Sequence, residues 1–483
     1  MTIDVAIVGA GPAGLAAAAR CARLGLAATL FDEQSAPGGQ IHRGVAARRD
    51  AGQTLRDADD VRGLALVDAL RASTAAYVAG AAVWSARALP DATIELGVTT
   101  HAAGAAGPAT RLVRARAAVL ATGAIERPFP IPGWTLPGVM TAGGAQILLK
   151  TAGLVPQGRI VLAGTGPLLW LAAAQLQDAG ATIAALLETT PRGRLREALG
   201  YAPAFLRSPY FRRGLELARR VRRRTRVVEF VTALEAYDDA RGSGRVAAVR
   251  YVADGVAHTL PADHLLLHQG VVPSIELASA AGCALAWNEI AAAFVPVADE
   301  WGGTTVPSLF VTGDGAGVAG AEAAAARGAL TALAVANALG RIDGRARDRA
   351  AAPLRRALAN AQRGRRFFDT LCRPADDFRI PAGATLACRC EEVTAEQVVA
   401  AAVAGCTGPN QAKAWLRCGM GPCQGRYCGV TVAELIAKAR GVPVDAVGAL
   451  RARFPVKPLT LGELAAVPAN AAAHAAVVRL PGH

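Results

Sequence analysis

The stretch Val5–Glu33, VAIVGAGPAGLAAAARCARLGLAATLFDE, sets the fold class. An apolar run, a glycine turn, an alanine-rich segment and a second apolar run follow one another in about the 30 residues of a βαβ unit. In the turn, Gly9 admits a tight bend, Gly11 lets backbone amides approach a pyrophosphate, and Gly14 lets the helix lie close on the strand. The helix start adds free N–H groups and the positive end of its dipole. Asp32 ends the second strand 18 residues beyond Gly14, where a carboxylate can accept hydrogen bonds from ribose hydroxyls. Strand, spacing and acid together predict a dinucleotide site.

A chain of 483 residues is long for one core, and 52% hydrophobic residues with 52 glycines suit two or three folded units of α/β class. The net charge of +14 is concentrated between Arg192 and Arg226, including ARRVRRRTRVV. No aromatics are interleaved with that run, so it reads as a solvated helix face and not as a nucleic-acid site. The N-terminus MTIDVAIVGAG passes directly into strand and turn without a basic leader. Gly164, Gly166 and Pro167 break the uncharged stretch from Ile160 to Gln177 into strand, turn and helix, so no transmembrane segment is expected. These features predict a cytoplasmic protein, peripheral to the inner membrane only through partners. In a reducing compartment its clustered cysteines are expected to be metal ligands or redox groups, not disulfides.

Three later segments say which dinucleotide. EQSAPGGQI follows Asp32, RAAVLATGAIERP spans Arg116 to Pro128, and LFVTGDGAGVAGAEAAAARG spans Leu309 to Gly328. In this order they resemble the two-dinucleotide-domain flavoproteins, which carry two Rossmann-like domains, the first for FAD. The resemblance implies that Gly9, Gly11, Gly14, Asp32, Glu33, Gly39, Gln40, Thr122, Gly123, Gly313 and Asp314 bind FAD. It also implies that the helix from about Gly320 points its N-terminus at the flavin. A second glycine turn lies in RIVLAGTGPLLWLAAAQLQDAGATIAALLE, with Gly164 and Gly166 in place but Leu169 where a third small residue would allow close packing. Glu188 ends the next strand and could take a ribose, which leaves NAD(P) or another adenine nucleotide open here, against a purely architectural domain. Between Cys21 and Cys283 there is no cysteine, so no CxxC dithiol can be built beside the flavin. The expected domains are 1–130 with 300–378 for FAD, 131–299 for the inserted unit, which closes near HQGVVPS at 268–274, a segment resembling the return hinge of these flavoproteins, 380–440 for the cysteine unit and 441–483 as a tail.

Six of the nine cysteines fall in the last hundred residues: Cys388, Cys390, Cys406, Cys418, Cys423 and Cys428. Sets of four thiolates suit a 2Fe-2S cluster or a structural zinc. A Rieske centre needs two histidines, and none lies between His268 and His474. The 32 residues between Cys390 and Cys423 resemble the gap in bacterioferritin-associated ferredoxin, whose small helical domain also opens CxC and holds a 2Fe-2S cluster. By that matching Cys388, Cys390, Cys423 and Cys428 are the ligands, Cys418 is a spare that could replace Cys423, and Cys406 is core.

ATGAIERPFPIPGWTLPGVMTAGGAQILLK combined with CRCEEVT and GMGPCQGRYC resembles the α or A subunits of bacterial amine-oxidising dehydrogenases, down to VKPLTLGEL near the end. Those include the A subunit of opine oxidase, the B subunit of hydrogen cyanide synthase and the α subunit of D-hydroxyproline or proline dehydrogenase. The resemblance implies an electron-transfer role beside a smaller FAD-dependent oxidase-like subunit, with room for a third small subunit. No residues here read as an amine pocket, so no catalytic residue is expected. His42, Arg43, Arg127 and Trp134 lie near flavin motifs but have equally good structural uses. Two other readings stand beside this one: a lone NAD(P)H-dependent reductase, and a redox-sensing or scaffold subunit without turnover.

Overall fold

The structure, a computed structural model, describes residues 2–52, 58–101, 109–239 and 242–467. The opening stretch forms β1 (Thr2–Val8), α1 (Pro12–Arg23) and β2 (Ala28–Phe31), the two strands paired in parallel. With β3 (Ala76–Val78), β4 (Ala81–Ala88), β5 (Ile94–Thr100) and β6 (Ala109–Leu120) they make one sheet of order β3-β2-β1-β6-β5-β4. Strand Leu309–Val311 adds in parallel against the end of β6. The apolar runs of β1 and β6 are buried on both faces, as in a sheet covered by helices. Helix Ala321–Ala338 packs along α1 on one face. Gly9 at φ +103° makes the turn, and a Cβ on Gly14 would stand 1.8 Å from the Gly9 carbonyl oxygen, so only glycine lets α1 sit this close.

The inserted unit is a five-stranded parallel sheet in the spatial order Arg226–Val228, Ile183–Glu188, Ile160–Thr165, His264–Gln269 and Val139–Thr141, beside a three-stranded antiparallel sheet over 233–261. Ala124–Glu126 leads out of the first unit and pairs antiparallel with Val271–Pro273, which leads back. The basic run forms the exposed side of helix Pro209–Arg222. Its cations pair with carboxylates: Arg220 and Arg224 with Asp178, and Arg222 with Glu229.

Three boundaries differ from expectation. The return falls at 271–273, within the HQGVVPS segment expected for it, and Leu277, Ala278 and Cys283 already pack on the first sheet with Phe31, Val83 and Leu96, so the inserted unit ends well before 299. Helix Gly344–Gln362 covers helix Ala321–Ala338, but the next segment crosses to the inserted unit, where Phe367 stacks on Phe205 at 4.2 Å and Phe378 meets Phe129 at 5.3 Å. The tail is a strap: Ala452 and Val456 are buried in the first unit, and the Val456 amide donates to the Trp84 carbonyl at 2.9 Å. Residues 468–483 of that tail lie outside the described residues. Among the described residues, no helix is long and apolar enough to cross a membrane.

The cysteine unit is small and mostly helical. Hairpin Leu386–Cys388/Val393–Thr394 runs into helix Ala395–Val403 through a capping box, Thr394 accepting from the Gln397 amide and Gln397 from the Thr394 amide. Helices Pro409–Leu416 and Gly429–Arg440 complete it around Val398, Cys406, Ala412 and Ile436.

Candidate functional site

At the C-terminal ends of β1 and β6, the glycine turn, the GG loop and the Gly313–Ala316 turn converge. Asp32 is buried; one carboxylate oxygen accepts from the Ala10 amide and the other from the Gln34 amide at 2.7 Å. Burial pushes its pKa up against those two bonds. Glu33 turns outward to Lys457 at 2.6 Å. Gly39 lies against Gly11, and Gln40 accepts from Arg43 at 3.3 Å. The Thr122 hydroxyl donates to the Ser274 carbonyl at 2.9 Å, and the Ser274 amide returns a bond to the Gly123 carbonyl at 3.0 Å. Asp314 accepts from the amides of Ala319 at 2.8 Å and Gly320 at 3.1 Å, next to Gly313, whose carbonyl accepts from Arg327. No side chain caps α1 at Gly11 or helix Ala321–Ala338 at Gly320. Two sets of helix-start N–H groups are therefore left for a ligand, a donor set that fits the pyrophosphate of a dinucleotide.

The side chains with two readings take structural ones. Arg127 is buried and donates to the carbonyls of Ala291 at 2.6 Å and Ala292 at 2.8 Å, and burial, with Arg379 and Arg373 nearby, brings its pKa down to about 9. Trp134 donates to the Leu386 carbonyl at 3.0 Å. His42 is buried under Gly63, and Arg43 spans Gln34 and Gln40.

The second glycine turn is differently furnished. A Cβ on Gly164 would fall 1.6 Å from the His268 carbonyl oxygen, so this glycine serves strand packing. Leu169 is fully buried among Ile160, Leu162 and Leu266, filling core where a small residue would bring the helix close. Both oxygens of Glu188 are occupied by Thr190, one by its hydroxyl and one by its amide at 3.2 Å; burial raises the pKa of this carboxyl. Cys372 stands over the turn, its Cβ 3.9 Å from where a Gly166 Cβ would be. Burial and the Glu188 carboxylate push that thiol up to about 12. A single cysteine after an arginine-rich helix carries no sequence signal that could place Cys372 here.

Five of the six C-terminal cysteines gather in one place. Cys388 is buried in one core cluster with Cys418 and Cys428, and those neighbouring thiols hold it far below the ordinary thiol range. Cys390 is exposed, and its thiol is raised chiefly by partial burial of its sulfur. Cys406 is buried in the same helical core, its thiol donating to the Gly408 carbonyl at 3.3 Å. Arg417 and Gln424 hold left-handed backbone beside Cys418 and Cys423, a conformation non-glycine residues keep only where the surroundings fix it. Among the described residues, no three His, Cys, Asp or Glu side chains are grouped so as to hold a metal ion. Cys388, Cys418 and Cys428 are buried in one core cluster, and a Cβ on Gly421 would stand 3.3 Å from the Cys390 sulfur, so the loop before Cys423 lies on Cys390.

This unit is docked at the crossing between the other two. Arg379 pairs with Glu434 inside the contact and with Asp376 at 2.6 Å, and Gln269 donates to the Phe378 carbonyl at 3.2 Å. Arg426, between Cys423 and Cys428 in the chain, donates to the Cys423 carbonyl at 3.1 Å and reaches Glu276 of the return segment at 3.8 Å. A cavity of about 40 Å³ separates Ile125, Pro273 and Glu276 from Gln424, Arg426 and Leu450. Sequence reasoning misses Arg426, although a cation between two cysteines of a thiolate cluster is a usable signal.

Comparison with known proteins agrees with this arrangement. Residues 3–336 match the pyridine nucleotide-disulphide oxidoreductase family, and 385–468 match the sarcosine oxidase A3 domain. The A subunit of an opine oxidase from Agrobacterium tumefaciens (strain Ach5) is 43% identical over 98% of this chain and 93% of its own. The hydrogen cyanide synthase subunit HcnB of Pseudomonas aeruginosa is 30% identical over 95% of this chain and 97% of its own. The L-proline dehydrogenase from P. horikoshii shares the fold at a TM-score of 0.69, with 18% identity over 96% of this chain and 79% of that one. The chain therefore belongs to the pyridine nucleotide-disulphide oxidoreductase family of flavoproteins, whose domain implies FAD, and within it to the group of opine oxidase A subunits.

Proposed function

We propose that this chain is the FAD- and 2Fe-2S-bearing electron-transfer subunit of a hetero-oligomeric dehydrogenase for a secondary amine or imino acid, such as an opine, D-hydroxyproline or proline. The amine is oxidised on a smaller FAD-dependent partner subunit. Bound flavin accepts electrons in pairs and a 2Fe-2S cluster passes them singly, so the two together couple a two-electron donor to a one-electron acceptor. Gly9, Gly11 and Gly14 admit the dinucleotide; Asp32 shapes the loop at its ribose; Thr122, Gly123, Gly313 and Asp314 line the flavin end. Cys388, Cys390, Cys423 and Cys428 hold the cluster.

The observation that carries this reading is the docking. The loop bearing Cys423 and Cys428 sits on the return segment Val271–Glu276, and the same segment pins Thr122 and Gly123 through Ser274. The CxC opening at Cys388 and Cys390 and the 32 residues from Cys390 to Cys423 support iron-sulfur over zinc. The lone NAD(P)H reductase is disfavoured because Cys372 covers the second glycine turn and Thr190 occupies Glu188.

Co-expressed with a small FAD-dependent oxidase-like partner, the complex should reduce an artificial dye with at least one of octopine, nopaline, D-hydroxyproline, proline or glycine. NADH mixed anaerobically with the isolated chain should leave its flavin oxidised. Absence of turnover with every amine overturns the dehydrogenase reading, and rapid bleaching by NADH restores the reductase.

A further inference from the structure

We infer that the junction of the three units holds one small monovalent anion of the chloride class, seated between Arg127, Arg379 and Arg426. The site needs neither flavin nor cluster, and it bears on how the cysteine unit is held to the rest of the chain.

Each arginine comes from a different part of the chain. Arg127 follows the strand Ala124–Glu126 that leaves the first unit, Arg379 ends the helix Asp376–Arg379 on the crossing segment, and Arg426 lies in the cysteine loop. Together they line a cavity of about 10 Å³ whose apolar wall includes Pro128, Val272 and Val430. Positive charge exceeds negative around it. Arg127 is 4% exposed, its Nη2 is taken by the carbonyls of Ala291 and Ala292, and among the described residues it pairs with no carboxylate. Arg379 pairs inside the contact with Glu434, while its other partner, Asp376, stands mostly in solvent. Arg426 has the buried Glu276 at 3.8 Å. Three largely buried cations thus face two buried carboxylates, and one positive charge is left uncompensated away from water. An unpaired charge is costly there, and removing water from it makes a counter-ion worth more. The Arg379 Nε is buried without a hydrogen-bond partner as well, a donor on the cavity wall that an occupant would satisfy.

Size and wall select the occupant. A cavity of about 10 Å³ takes one particle the size of a water. A phosphate, a sulfate or a carboxylate-bearing metabolite is too large, whereas chloride is only slightly larger than a water. The apolar wall suits a weakly hydrated halide and not fluoride. A water would accept the free Arg379 donor but leave the charge. Because the three arginines meet only when the units are docked, the affinity for the anion adds to the stability of the docked chain.

The test follows thermal unfolding of the full chain while chloride replaces gluconate at constant ionic strength. The midpoint should rise by about 2 °C or more and then level off, and Arg127→Met should abolish the rise. Bromide soaked into crystals of the full chain should give an anomalous peak between the three guanidinium groups. A midpoint indifferent to chloride overturns the inference, as does a rise that Arg127→Met retains. Crystals without bromide at the junction overturn it too, since the occupant would then be a water. A bromide peak without the chloride-dependent rise is an adventitious ion only, and it overturns the inference as well. If Arg127→Met does not fold, Thr431→Leu, which fills the cavity from the cysteine unit, takes its place: the rise should vanish, and a rise retained overturns the inference.

Discussion

Replacing Cys423 by serine is expected to remove the iron-sulfur absorbance and the paramagnetic signal of the reduced chain while leaving FAD bound. Cys423 is one of the four proposed ligands, the loop before it lies on Cys390, where a Cβ on Gly421 would stand 3.3 Å from the sulfur, and Cys390 is exposed, so an iron held there would be left with one thiolate fewer at a wet edge. Changes to groups that merely orient metal ligands weaken metal sites by about 10–100-fold. Removal of a ligand itself should cost more, enough to leave the chain empty on purification. The flavin should be untouched, because the glycine turn and Asp32 lie in a separate unit whose core shares no residue with the cysteine unit. Iron analysis and flavin absorbance on one sample check both halves. A Cys423→Ser chain with a full complement of iron would remove Cys423 from the ligand set.

Gly14→Val is expected to abolish FAD binding with little effect on the cluster. The first carbon of any side chain at this position would lie 1.8 Å from the Gly9 carbonyl oxygen and 3.4 Å from the Ala121 side chain. Backbone must move to make room, and the backbone that moves is the turn at which the pyrophosphate is expected. Overpacking alone costs about 1–3 kcal/mol. A displaced cradle adds lost hydrogen bonds of about 1 kcal/mol or more each. Even about 3 kcal/mol would weaken FAD more than a hundredfold. The readout is the flavin-to-protein ratio after gel filtration, with iron content as the control for folding of the C-terminal unit. Stoichiometric flavin in the variant would mean that the first glycine turn does not hold the dinucleotide.

Much of this architecture is legible in the sequence because its signals are local. A glycine turn between two apolar runs has one common outcome, and in Val5–Glu33 and again in Arg159–Glu188 the strand, turn, helix and strand stand as expected. The Thr394–Gln397 capping box likewise marks where the cysteine unit begins its first helix. What escapes is long-range. Leu285–Asn288 and Ala293–Pro296 form a half-buried hairpin whose pattern does not say which unit it covers. Cys372 closes the second glycine turn from about 200 residues away in the chain. Arg379 and Glu434 form an ion pair within a docking contact, and nothing in either neighbourhood announces the other. Cys418 shows the limit most clearly. Spacing places it beside Cys423, whereas it is buried in one core cluster with Cys388 and Cys428, next to left-handed backbone at Arg417. Such backbone is chosen by tertiary context, so residue spacing alone cannot report it.

The proposed electron path runs to the cysteine unit of this chain from an amine oxidised on the partner. Freeze-quench electron paramagnetic resonance of the assembled complex, mixed anaerobically with its amine substrate, follows that path directly. The reduced-cluster signal should appear within turnover time in the complex, and it should be absent when the isolated chain is mixed with the same amine. A complex that turns over while its cluster stays oxidised would contradict the path, as would an isolated chain whose cluster the amine reduces unaided.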